Sequence, residues 1–226
     1  GAEINRANRQ NESALFVAAE LGRAEIVRAL LSKGADPNAV EKENRASSFT
    51  VALSAIGRNT VLIKAAQNGQ AEVTRILLDA GALPNAAGFL GKTALFWAAE
   101  RGHTGVAQSL LEKNADPDIK DVSGRTPLMV AAGNGNARLV EALIKNRADI
   151  NAREGSESNA PGAMFGVSGA TALIHAARAG HADVVKMLLA AGGDVTATDS
   201  NGMNALKGAE GNGHASVVAV LKAVGA

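Results

Sequence analysis

The stretch Thr126-Pro127-Leu128-Met129-Val130-Ala131-Ala132-Gly133-Asn134-Gly135, followed by Leu139-Val140, Leu143-Ile144 and Ala148-Asp149-Ile150-Asn151, decides how the chain is read. Thr126 is a helix N-cap residue, and Pro127 suits the first turn, where its missing N–H costs nothing. Ala131-Ala132 is small enough for a neighbouring helix to approach closely. Gly135 is expected to end the helix with φ > 0 and turn the chain back. A second helix follows, and the stretch closes in a turn.

The same pattern recurs outward in both directions. Its starts are Ser13, Thr60, Thr93, Thr126, Thr171 and Asn204, spaced 47, 33, 33, 45 and 33 residues apart. The period is therefore 33, with insertions of 47 − 33 = 14 and 45 − 33 = 12 residues. A Gly keeps phase at Gly22, Gly69, Gly102, Gly135, Gly180 and Gly213. Apolar pairs follow at Leu30-Leu31, Leu77-Leu78, Leu110-Leu111, Leu143-Ile144 and Leu188-Leu189. In the first copy, Ile26, Val27, Leu30 and Leu31 form the apolar stripe of an amphipathic helix. Self-similarity at this period is the mark of a repeat array.

These residues resemble the ankyrin repeat, whose pattern is T-P-L-H-x-A-A, then G-H, L-L and G-A-D-x-N. The resemblance covers nearly the whole chain. It implies an all-α solenoid of stacked helix-turn-helix units with β-hairpin fingers, read as a single domain over residues 1–226. Insertions are expected in the fingers at about 39–59 and 152–170. One departure is consistent: the family's His is replaced by Phe16, Ile63, Phe96, Met129, Ile174 and Lys207. Its hydrogen bond to the Thr is missing, and apolar packing is expected to substitute. The opening Gly1-Ala2-Glu3-Ile4-Asn5 reads as the tail of a preceding repeat or as a first finger. Lys207, Glu210 and Lys222 replace apolar residues in the last copy, the polar outer face of a terminal cap, so Ala226 is expected to lie near the native C-terminus.

Composition narrows function. There are 47 Ala and 25 Gly but only 3% aromatics, so the core must be aliphatic and its helices close. A net charge of +1 with few rings argues against nucleic acid. The absence of Cys excludes thiolate catalysis, disulfides and Cys-ligated metals. No apolar run approaches the length of a membrane span, so no membrane insertion is expected.

Several motifs imitate chemistry. Gly91-Lys92-Thr93 ends a loose phosphate-loop pattern, yet it stands where Gly124-Arg125-Thr126 stands one period later and follows no strand. His103, His181 and His214 follow the recurring Gly and should lie too far apart to share an ion; His175 is a single helix-face residue. Asp116, Asp118 and Asp121 lack the Gly and Glu of a calcium loop, and Asp116 and Asp121 fit turn positions instead. Asn11-Glu12-Ser13 is a glycosylation tripeptide of a kind common by chance. Trp97 is expected to pack between first helices. No enzyme, metal, cofactor or small-molecule ligand is expected.

The insertions carry the functional expectation. The first is charged at Glu41, Lys42, Glu43 and Arg45, then alternates Phe49, Val51 and Leu53 with small or polar residues, as a one-faced strand does. The second is rich in Gly and Ser and carries Met164 and Phe165. Phe89-Leu90 marks the ordinary finger between them. The resemblance implies that fingers and first helices form a concave binding face. Phe49, Val51, Leu53, Phe89, Leu90, Met164 and Phe165 would then be apolar anchors. Asn68, Glu100, Arg101, Asn134 and Arg178 would set polar register.

The chain is therefore read as a non-enzymatic module whose long fingers straddle a folded protein partner. The finer expectation is a bacterial inhibitor or immunity protein that shields the cell from a periplasmic hydrolase such as a cell-wall peptidase. The alternative is an intracellular scaffold or host-directed effector, located in the cytoplasm, with no inhibitory action.

Overall fold

The computed structural model describes residues 3–6, 8, 12–40, 58–155 and 169–225. Among them are twelve α-helices in two compact units, Gly1–Asp116 and Pro117–Ala226. The first unit holds α1 (Ala14–Glu20), α2 (Ala24–Ser32), α3 (Val61–Gln67), α4 (Ala71–Asp79), α5 (Ala94–Arg101) and α6 (Thr104–Glu112). The second holds α7 (Pro127–Gly133), α8 (Ala137–Lys145), α9 (Ala172–Ala179), α10 (Ala182–Ala190), α11 (Ala205–Gly211) and α12 (Ala215–Ala223). Within each unit the shorter first helices pack in one layer and the second helices in another.

Every first helix starts as the cap residues require. The side chains of Ser13, Thr60, Thr93, Thr126, Thr171 and Asn204 each accept a hydrogen bond from the N–H three residues on, at 2.9–3.4 Å. This satisfies one of the donors that a helix start leaves open. Phe16, Ile63, Phe96, Met129 and Ile174 fill the position of the missing His and are all 2% exposed or less. Met129 also restores part of the lost bond, since its Sδ accepts from the Thr126 N–H at 3.5 Å. Paired alanines such as Ala65-Ala66, Ala98-Ala99 and Ala131-Ala132 are fully buried between first helices.

The glycine turns do two jobs. Gly22, Gly69, Gly135 and Gly180 all have φ between +69° and +81°, where a Cβ costs energy. Each is also overlaid by the next repeat: Gln70 covers Gly22, His103 covers Gly69, His181 covers Gly135 and His214 covers Gly180. A Cβ on Gly135 would stand 2.5 Å from the His181 ring. The covering side chain reaches a first-helix carbonyl. Gln70 donates to Glu20 O at 3.1 Å, and Nε2 of His103, His181 and His214 meets Gln67 O, Gly133 O and Arg178 O at 3.3, 3.0 and 2.9 Å. A carbonyl only accepts, so these rings carry their proton on Nε2.

A second ladder runs along the turns after the second helices. Asn38 accepts from Leu83 N at 2.9 Å and donates to Gly81 O at 3.1 Å. Asn85 accepts from Asp116 N, Asp118 from Asp149 N, and Asn151 from Asp194 N, at 2.8–2.9 Å. The fingers differ from the β-hairpins implied by the resemblance. Each described one is a tight turn held by at least two backbone bonds, such as Asp121 N to Arg125 O at 3.0 Å and Gly124 N to Asp121 O at 2.8 Å. Val40 forms an isolated antiparallel bridge with Thr60.

The last helix pair is charged where the others are apolar. Lys207, Glu210 and Lys222 are exposed, and Glu210 pairs with Lys222 at 3.0 Å.

Two predictions follow from packing. Gly34 has φ +85° but open space around it, so Gly34→Ala costs only the backbone term, about 1 kcal/mol. Gly135→Ala meets His181 as well and costs about 2–3 kcal/mol. Removing the ring in a His181→Ala background makes the two losses less than additive, as urea unfolding of the cycle will show. Separately, the hydroxyl of Thr74 is fully buried with no hydrogen-bond partner among the described residues, in a position that holds Val27, Ala107 or Val140 in other repeats. Thr74→Val keeps the shape and raises stability by about 1 kcal/mol in the same assay.

Candidate functional site

Both insertions leave and rejoin the fold at closed anchors. For the first, Val61 N donates to Ala39 O at 3.0 Å beside the Val40–Thr60 bridge. For the second, Glu154 N donates to Ala170 O at 2.8 Å and Gly169 N returns to Glu154 O at 2.6 Å. Phe49, Val51 and Leu53 in the first insertion, and Met164 and Phe165 in the second, lie outside the described residues.

The anchors are tied to neighbouring fingers. In the first unit, Asn59 reaches across from the return of the first insertion and accepts from the Phe89 N–H at 3.1 Å. It can do so because Gly88 stands where other fingers hold Asp121 or Asp199. A Cβ there would meet Asn59 Oδ1 at 2.5 Å and Ile63 Cδ1 at 2.7 Å. Phe89 and Leu90 are half-buried in a short 3-10 turn, Phe89–Gly91, with Leu90 at φ +58°. In the second unit, Gly155 N donates to Ser123 O at 3.2 Å, and its backbone crosses directly over Gly124. Lys120 Nζ donates to Arg153 O at 3.1 Å, and the Arg153 guanidinium donates to Thr198 O. Lys120, Arg153, Gly155 and Thr198 line a polar groove of about 630 Å³, with Asp118, Asn151 and Glu154 among its walls.

The residues expected to set polar register divide into two kinds. Asn68, Arg101 and Asn134 are exposed at first-helix ends. Glu100 and Arg178 are half-buried and form ion pairs within their own units. Glu100 accepts both bonds of the Lys92 ammonium, at 2.8 and 3.0 Å. Lys92 is itself buried, 4.4 Å from the Trp97 ring centre and 5.1 Å from that of Phe96. Trp97 is half-buried, with the Arg101 guanidinium 5.9 Å from its ring. The Gly91-Lys92-Thr93 sequence is therefore a cation-on-ring packing site followed by a capped helix. Its lysine is already neutralised.

Arg178 pairs with Asp199 of the next finger, whose carboxylate is wholly buried. Gly208 leaves room for it, since a Cβ there would stand 2.9 Å from Arg178 Cγ. Burial pushes the Asp199 carboxyl up. The Met203 N–H, the Arg178 guanidinium and the Asn201 N–H outweigh that and hold it below the usual carboxylate range. Asp121 is built alike: it accepts from Ser123 N and Arg125 N at 2.9 and 3.0 Å and pairs with the Arg125 guanidinium at 2.9 Å. That accounts for the run of aspartates. Among the described residues no three His, Asp or Glu side chains converge as an ion would require.

What this edge offers chemically is a scaffold for contact. Its described charges are mostly paired inside the fold, and its backbone is fixed by the two ladders. Three matches to the model "Ankyrin repeats (3 copies)" cover residues 39–121, 62–154 and 154–226, and a match to "Ankyrin repeat" covers residues 10–42. The chain belongs to the ankyrin-repeat family. The family is a non-catalytic protein–protein interaction module. No relative among curated proteins matches this ankyrin-repeat chain. Among its described residues no helix is long and apolar enough to cross a membrane.

The Arg178–Asp199 pair yields a prediction. Arg178→Ala leaves a buried carboxylate with two backbone donors and no cation, and costs about 2 kcal/mol at neutral pH. Because the folded Asp199 is held low, its contribution is present above the unfolded carboxylate range, near pH 4, and is lost as pH falls through the folded value. Urea midpoints of wild type and variant should therefore converge in acid.

Proposed function

We propose that the protein binds a folded partner enzyme through its finger edge and inhibits it, acting without chemistry of its own. The observation that carries this reading is the pair of closed anchors. Val40 with Thr60, and Glu154 with Ala170, fix both ends of each insertion on that edge at the cost of specific fitting in the neighbouring finger. A long segment that served no contact would not need Gly88 kept bare beneath its return. Phe49, Val51, Leu53, Met164 and Phe165 lie between the anchors and supply the apolar contacts. Phe89 and Leu90 extend the first set. Asn68, Arg101 and Asn134 add polar contacts, while Glu100 and Arg178 act by holding Lys92 and Asp199.

The proposal treats residues 1–226 as one binding domain with an insertion in each unit. A hydrolase with a cleft suits such a binder, because two separately anchored apolar segments can fill a cleft and its rim. We assign a bacterial periplasmic hydrolase, such as a cell-wall peptidase, as the partner class, with protection of the producing cell as the outcome.

The test is inhibition of peptidoglycan peptidase activity by the purified protein. Deleting residues 42–56 and 157–167 spares both anchors. The shortened protein should keep its helical circular dichroism and weaken inhibition by about 100-fold or more, the loss of two hot spots. A folded variant with unchanged inhibition would remove the insertions from the interface. Intact protein that inhibits no such enzyme would reject the inhibitor role and leave the binding module.

A further inference from the structure

The second insertion is held by one contact that neither the repeat pattern nor the partner-binding reading uses. Glu154 sits at its base, with its main chain paired to Ala170 and Gly169. Its side chain turns inward to α9, where Oε2 lies 3.2 Å from His175 Nε2. Both side chains are largely covered, at 15% and 25% exposure. The His175 Nε2 atom is buried and makes no hydrogen bond to any described group, so its contact with Glu154 is one of charge and distance. His175 occupies the position held by Lys64, Trp97 and Val130 in other repeats, so an ionisable ring is not what the repeat requires there.

The surrounding charges leave this pair to itself. Helix α7, packed against α9, carries no titratable side chain. On α11, Lys207 donates to Gly202 O and Glu210 pairs with Lys222. On α10, Asp183 faces Lys186. Arg178, one turn along α9, is bound to Asp199. In the adjoining finger, Asp121 is bound to Arg125, while Lys120 and Arg153 donate to Arg153 O and Thr198 O. Glu154 is thus the carboxylate that answers His175.

We propose that Glu154 and His175 form a pH-sensitive latch on the ends of the second insertion. Imidazole is the side chain that changes charge between about pH 5 and pH 8. When His175 is protonated, an ion pair ties the Glu154 strand to α9. The backbone bonds of Glu154, Gly155 and Gly169 are then held against opening. Once the ring is neutral the ion pair is gone, and no hydrogen bond from Nε2 remains to replace it. Carboxyl groups ordinarily titrate below this window, so imidazole is the kind of group that changes charge within it. Coupling of the latch to partner affinity rests on the function proposed above; the latch itself does not.

Backbone hydrogen exchange of the full chain tests it without a partner. The readout is the protection of the Glu154, Gly155 and Gly169 amides at about pH 5.5 and about pH 8, corrected for intrinsic rates. Wild type should be about fivefold better protected at the lower pH, the scale of a partly covered ion pair. His175→Gln keeps a donor but cannot charge, and should remove the difference. Glu154→Gln should do the same, with the Gly88 amide of the first unit as an unaffected reference. A merely structural contact would lower protection equally at both pH values. An unchanged pH difference in His175→Gln, or none in wild type, would overturn the latch. Failure here leaves the insertion-deletion result untouched, and the reverse also holds.

Discussion

The structure depends on one repeated contact. The carbonyls at the ends of first helices, Glu20 O, Gln67 O, Gly133 O and Arg178 O, are each met by a side chain from the next repeat. That side chain can arrive only because a glycine without a Cβ lies beneath it. The contact satisfies carbonyls that a helix end leaves open, and it links neighbouring repeats through backbone rather than through apolar packing alone. Aliphatic cores are adaptable and would tolerate small slips between helices. A fixed donor on a fixed carbonyl does not, so it sets the register within each unit.

This explains how the edge of the fold can carry long insertions. The turn ladder formed by Asn38, Asn85, Asp118 and Asn151 lies just before the fingers. It delivers each finger at a set position. Asn59 then leans on the following finger at Phe89, and Gly155 on the preceding finger at Ser123. The insertions are therefore mounted on backbone whose position is already determined by two rows of hydrogen bonds.

Much of this was legible in the residues. Caps, glycine turns and buried alanines depend on a few neighbours in sequence, and all recur in phase. Replacement of the family His by apolar packing was also readable, although the Met129 Sδ contact was not. Contacts bridging a finger or an insertion stayed hidden. Arg178 looked like a surface residue because Asp199, its buried partner, lies in the following finger. Glu100 looked available for the same reason, with Lys92 eight residues before it. Gly88 was the clearest missed signal: it breaks the finger pattern of Asp121 and Asp199, and a broken pattern beside an insertion marks where that insertion is seated. The Glu154–His175 pair had no local signature, since the two residues meet only after the insertion closes.

The account's central claim is that the finger edge, not the layer of second helices, meets the partner. Site-specific photocrosslinking in the native cell tests this most directly, with the probe placed at Phe49 or Phe165 and, for comparison, at Lys113 or Lys186 on the second-helix side. The account predicts one shared crosslinked protein from positions 49 and 165 and none from 113 or 186. Crosslinks from 113 or 186 with none from the insertions would contradict it.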